Sequence, residues 1–244
     1  MSEKINVLVW SEYIDAEKQP EVVEIYPEGI GKVIADFLSG ESNLSVRTGG
    51  LDNMESDLSE ESLLETDVLV WWDHFFQDRI TDEILERIKH RIYEGMGFIA
   101  LHSAIVSRVF RGLMGTSCAM KWREVGEKER VWVIDRGHRI AAGLEREYID
   151  IPISEMYGES ANIPHPEDLV FVSWYAGGEV MRSGCCYKRG NGRIFLFTPG
   201  HEEYPIYYQA EIQKIIINAV NWAKPSTGPP PNYAGHSSPL EKII

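Results

Sequence analysis

The stretch Gly97–Met114, GFIALHSAIVSRVFRGLM, decides how the rest of the chain is read. Gly97 to Leu101 run without a polar residue, the pattern of a strand buried on both faces. Past Ser103, the residues Ile105, Val106, Val109, Phe110 and Leu113 recur at helical spacing, with Ser103 placed to cap that helix through about Met114. A strand passing into a helix through a His-Ser pair is the βα turn of an open α/β sheet. Ligands gather there, beyond the carboxyl ends of the strands. So apolar a strand has no packing use for an imidazole at its end, which makes His102 a candidate functional residue.

The same grammar extends outward. INVLVW (Ile5–Trp10), LSVRTG, DVLVWW (Asp67–Trp72) and RIFLFT read as further strands. Helical spacing joins Ile30, Val33, Ile34, Phe37 and Leu38, stopped by Gly40, and Ile84, Leu85, Ile88 and Ile92, capped by Thr81. A last helix carries Ile212, Ile215, Ile216, Ala219 and Val220, with Pro225 beyond it. Alternating β and α predicts a parallel sheet with helices on both faces. The middle is different: RVWVID, REYIDIPIS, DLVFVSWY and EVMRSGCCYKR are short β-prone pieces, with hairpin turns expected at Gly177-Gly178 and Asn191-Gly192. The expected fold class is α/β, a flavodoxin-like three-layer α/β/α sandwich whose mostly parallel sheet carries an antiparallel β extension. Residues 1–224 read as one α/β domain. Residues 225–244 read as a Pro-rich tail on the surface or on a partner, a possible homo-oligomer contact.

A length of 244 residues, 43% of them hydrophobic, suits one large α/β domain. The net charge of −14 argues against a non-specific nucleic-acid binder. No apolar run reaches a membrane span, and MSEKINVLVW lacks a signal-peptide pattern, so the expected location is cytoplasmic. Cys118, Cys185 and Cys186 offer neither a disulfide framework nor metal-type spacing, and Cys185 and Cys186 point to opposite faces of a strand.

His74, His102 and His201 each follow an apolar strand closely. In a flavodoxin-like sheet those strands are neighbours, which brings three imidazoles together above one edge. Asp73, Glu155, Tyr157, Glu202 and Glu203 lie close to these positions or at a strand end. Glu155 with Tyr157 reads as acid/base pair or metal ligand, or as a solvated strand-end charge. Imidazoles and carboxylates suit Zn²⁺ or Mn²⁺, although no HxxxH or HxH motif is present. Ser103 lacks the glycines of a GxSxG elbow and reads as a cap rather than a nucleophile. Trp71 and Trp72 point to opposite faces, as core residues or with one ring lining a sugar cleft. His138 reads as a turn brace; His90, His165 and His236 read as solvated or in the tail.

INVLVW, DVLVWWDH, GFIALHSA, GHRIAAGL, ISEMYG and TPGH, in this order, resemble the ThuA family of trehalose-utilisation proteins over about residues 4–223. The resemblance implies a class I glutamine amidotransferase-like fold, with His102 where an amidotransferase carries its cysteine. No cysteine is near that turn, so thiolate-based glutamine hydrolysis is disfavoured. It further implies use of trehalose-type disaccharides through 3-keto-sugars made by a partner dehydrogenase. As catalytic residues it points to His102, Glu155 and Tyr157, and as metal ligands to His74, His102 and His201. His138 also matches a family motif. Trp72, Asp73 and Glu202 are the expected substrate contacts. GHEE departs from the family, in which aspartate commonly follows the histidine. Without a GxGxxG fingerprint no nucleotide cofactor is expected; a divalent metal is the candidate cofactor. The expected activity is carbonyl polarisation and proton abstraction on a keto-disaccharide or keto-sugar. The alternatives are a non-catalytic sugar-binding or regulatory module and a metal-dependent hydrolase of another small substrate.

Overall fold

The first and last strands of the chain are buried, as their unbroken apolar runs require. The structure is a computed structural model, describing residues 4–12, 20–226 and 235–243. In chain order the elements are β1 (Ile5–Ser11), α1 (Pro20–Ile25), α2 (Ile30–Ser39), β2 (Leu44–Gly50), α3 (Met54–Asp57), α4 (Glu60–Leu64), β3 (Val68–Trp72) and α5 (Asp82–Glu94). There follow β4 (Gly97–Leu101), α6 (Arg108–Met114), β5 (Lys121–Val133), β6 (Tyr148–Gly158), β7 (Asp168–Tyr175), β8 (Val180–Arg189), β9 (Gly192–Phe197) and α7 (Ala210–Ala223). Of the tail, residues 227–234 and 244 lie outside the described residues, and 235–243 form neither helix nor strand.

The strands make one sheet in the order β2-β1-β3-β4-β9-β8-β7-β5-β6. Period-2 alternation sorts their side chains into two cores. Val7, Val9, Val70, Trp72, Ile99, Leu101 and Phe197 pack with α2 and α7; Leu8, Trp10, Leu69, Trp71, Phe98 and Leu196 pack with α5 and α6. Trp71 stacks on Trp10 with ring centroids 3.9 Å apart, a core role. Cys185 and Cys186 fall into opposite cores, as alternation required. Among the described residues no helix is long and apolar enough to cross a membrane.

Three expectations need correction. The sheet is not mostly parallel: β2, β1, β3, β4 and β9 pair in parallel, but β9, β8, β7, β5 and β6 pair antiparallel. Tight turns join β7 to β8 and β8 to β9, and a two- to four-residue turn cannot make a parallel crossover. Ser103 is not a helix cap. His102 has φ 52°, residues 102–106 form a 3₁₀ turn, and Ser107 caps α6 by accepting the Phe110 N–H. The Ser103 hydroxyl instead donates to the Asp73 carbonyl at 2.7 Å, tying the ends of β3 and β4 together. Finally, the β8–β9 turn is Gly190-Asn191, one residue earlier than expected, with Gly190 at φ 59°.

Gly192 opens β9 where the strand meets the end of α5. A Cβ there would lie 2.2 Å from the Ile92 carbonyl oxygen. Backbone cannot give way as a flexible side chain does, so Gly192→Ala should cost about 1–3 kcal/mol. The expected readout is a lower urea midpoint with an unchanged slope.

Candidate functional site

β4 lies between β3 and β9, so whatever follows these three strands meets at one place. His74 stands two residues past β3, His102 directly after β4 and His201 four residues past β9. Their ring centroids are 6.0 Å (His74–His102), 5.8 Å (His74–His201) and 5.3 Å (His102–His201) apart. The three imidazoles do converge.

Glu155 and Tyr157 come from β6, at the far edge of the sheet. Five strand spacings separate β6 from β4, roughly 24 Å in a flat sheet. Yet Glu155 Oε2 lies 3.1 Å from His102 Nε2, and the Tyr157 hydroxyl lies 3.2 Å from the same nitrogen. The antiparallel half therefore curls back over the strand ends. Register shifts in β5 between Arg123 and Glu127, and between Glu127 and Glu129, supply the bend.

Hydrogen bonds fix the protons of two histidines. His102 Nδ1 is 2.9 Å from the Thr198 carbonyl, which only accepts, so Nδ1 carries the proton and Nε2 presents a lone pair. His201 is the reverse: its Nδ1 accepts the Glu203 N–H at 3.1 Å, leaving the proton of the neutral ring on Nε2. That nitrogen faces Glu124 Oε2 at 3.6 Å, Glu155 Oε2 at 3.7 Å and Glu202 Oε2 at 3.8 Å. Glu202 Oε1 also lies 3.8 Å from His74 Nε2. The Oε2 atoms of Glu124, Glu155 and Glu202 are buried without a hydrogen-bond partner.

Burial sets the charge states. It lowers His102 to about 4 against the lift of its Thr198 bond. Burial, then the neighbouring imidazoles, lowers His74 to about 4 and His201 to about 3. Burial raises Glu155 and Glu124, and raises Glu202 to about 8. At neutral pH the site holds neutral imidazoles and a protonated Glu202. The unfolded histidines bind protons that the folded ones refuse between about pH 6.5 and 4, so their contribution to stability falls as pH drops through that window. Glu202 acts oppositely: the folded carboxyl binds the extra proton between pH 4.5 and about 8, and its contribution fades as pH rises. Removing one such histidine removes its share of the loss toward low pH, so the urea midpoint of His74→Gln should rise relative to wild type as pH falls from 6.5 to 4.

The other sequence candidates divide. Glu202 is within the cluster. Trp72 is 2% exposed, and its indole N–H donates to the Gly200 carbonyl at 3.3 Å. It braces the turn into His201 and offers no open face to a substrate. Asp73 is buried, with Trp71, Glu12 and Arg111 as the neighbours that act on its carboxyl. As metal donors the histidines do not form one three-imidazole set: among the described residues His74, His201 and Glu202 make one triad, and His102, Glu155 and His201 another. His138 braces its turn, accepting the Ile140 N–H at 3.2 Å.

Two acids went unnoticed in the sequence. Glu124 accepts the Tyr204 hydroxyl as it faces His201. Glu129 is fully buried and accepts from Ser173 (2.5 Å), Ser154 (2.7 Å) and Tyr175 (3.2 Å), and burial lifts it to about 7. It anchors the strand segment that carries Glu155. Its phase with Val131 and Val133 was the available signal.

The sequence has a counterpart among known families. The model described as ThuA, trehalose utilisation, matches residues 6–223. The chain belongs to the ThuA family. A ThuA-like protein from Parabacteroides merdae is similar in structure at a TM-score of 0.68, with 13% identity over 93% of each chain. One from Bacteroides uniformis reaches 0.65, with 14% identity over 91% of this chain and 92% of that one. A GMP synthase subunit from Thermoplasma acidophilum shares the fold at 0.52, with 15% identity over 91% of this chain and 94% of that one. No curated protein sequence matches. In this ThuA-family chain the cleft above the cluster has a volume of about 340 Å³, bordered by His74, Gln77, Ser103, Trp122, Glu155 and Tyr157 among others.

Proposed function

We propose that this ThuA-family protein is an enzyme of carbohydrate catabolism that acts on a keto-disaccharide or keto-sugar of the trehalose type. One observation carries the reading: the Nδ1–H of His102 is pinned to the Thr198 carbonyl, so a buried Nε2 lone pair faces the cleft group Tyr157 and Glu155. A fixed neutral imidazole is a general base. His102 Nε2 removes the proton on the carbon next to the ketone. The C–H electron pair becomes the C=C bond of an enediolate, and the carbonyl π pair moves onto its oxygen. The Tyr157 hydroxyl and the protonated Glu202 are the donors near that developing charge. Reprotonation at the neighbouring carbon gives isomerisation. Expulsion of the glycosidic oxygen β to the ketone, protonated as it leaves, gives cleavage.

A zinc or manganese ion suits the donor chemistry, because buried carboxylate oxygens without partners converge with imidazoles. His74, His201 and Glu202 would hold it, with His201 giving up its Glu203 N–H bond, and His102 Nε2 would stay open as the base. Bound there, it would supply Lewis-acid polarisation of the carbonyl. The substrate ketone requires an oxidation upstream, the work of a partner dehydrogenase, in the cytoplasm.

The test is turnover of a 3-keto-disaccharide by wild type and His102→Ala, with metal content measured on wild type and on the His74/His102/His201 triple alanine variant. Unchanged turnover in His102→Ala sinks the mechanism. Tight sugar binding without any product would make the protein a binding module instead.

A further inference from the structure

We propose that Trp122 forms a second sugar subsite, so that the protein distinguishes a disaccharide from a monosaccharide. The inference rests on the keto-sugar reading of the neighbouring histidine cluster. Trp122 lies on β5 directly across from Tyr157 on β6, and it borders the same cleft as His74 and Glu155. It is 66% exposed, whereas Trp10, Trp71 and Trp72 are all buried. Scattered exposed apolar residues need no explanation, but this indole stands beside a buried acid–base cluster. With Val106 and Met120 it makes an apolar wall, while His74, Gln77 and Glu155 make the polar side.

A wall of that kind suits a ligand with a C–H face and a hydroxyl edge, which is the surface of a pyranose ring. The reacting ring lies against His102 and Glu155, which are buried. The ring across the glycosidic bond then reaches the mouth of the cleft and stacks on the indole. The role given to Trp72 by sequence passes to Trp122, whose ring face is open.

The experiment compares wild type, Trp122→Ala and Trp122→Phe. It measures steady-state kinetics on a 3-keto-disaccharide and a 3-keto-monosaccharide, trehalose binding by calorimetry, and mass in solution by light scattering. Trp122→Ala should raise KM for the disaccharide about tenfold with kcat within about twofold, and leave the monosaccharide unaffected. Trp122→Phe should recover most of the loss. Equal effects on both sugars, or none on either, would overturn the subsite. So would a change of assembly mass, which would make the indole a contact between copies. Wild type that turns over neither sugar, yet binds trehalose in a Trp122-dependent way, would leave the subsite standing and sink the catalytic reading. Wild type that neither binds trehalose nor turns over the disaccharide would overturn both.

Discussion

Replacing His102 with glutamine is expected to lower kcat on a 3-keto-disaccharide by about 10²–10⁴-fold, the range that a positioned general base supplies. The effect should fall on kcat rather than KM, because the lost proton transfer belongs to the transition state. Two features make the residue hard to replace. Its Nδ1–H is committed to the Thr198 carbonyl, which keeps the reacting nitrogen unprotonated, and its φ of 52° aims the side chain across the strand ends. With a pKa of about 4, the base is already neutral above pH 5, so wild-type turnover should be flat from pH 5 to 7 on the acid side. A limb rising near pH 6.5 would show an ordinary exposed histidine and contradict the assignment.

Glu155→Gln should lower kcat by about 10²-fold. The carboxylate lies 3.1 Å from His102 Nε2 and 3.7 Å from His201 Nε2, the point where both histidines meet the strand from the far edge. An amide keeps the volume and removes the basicity, so the protein should fold with a urea midpoint close to wild type. A variant with wild-type kcat would place Glu155 outside the chemistry.

Much of this was legible from local pattern. Unbroken apolar runs mark β1, β3, β4 and β9, and parallel pairing of neighbours then puts His74, His102 and His201 together. Glu155 and Tyr157 were found as residues but not as neighbours of His102, because their contact depends on bulges in β5 that period-2 alternation does not announce. Ser103 misled because a serine before an apolar helical repeat looks like a cap, while the left-handed turn at His102 moves the helix start to Ser107. Trp72 misled because alternation gives a face and not a depth. Glu124 sits in a register irregularity, where no simple phase assigns it a side.

The curled sheet divides labour by address. The proposed base directly follows β4, a strand paired on both sides, whereas its carboxylate partner stands on β6, paired on one side only. Edge strands are where a folded chain opens first and where sequence change is absorbed at least cost to the rest. Competence is thus gated by an edge ribbon of the sheet. The chain can lose its chemistry by lifting one strand while the histidine platform stays folded, and a lineage can retune what it accepts by rewriting β5 and β6 alone.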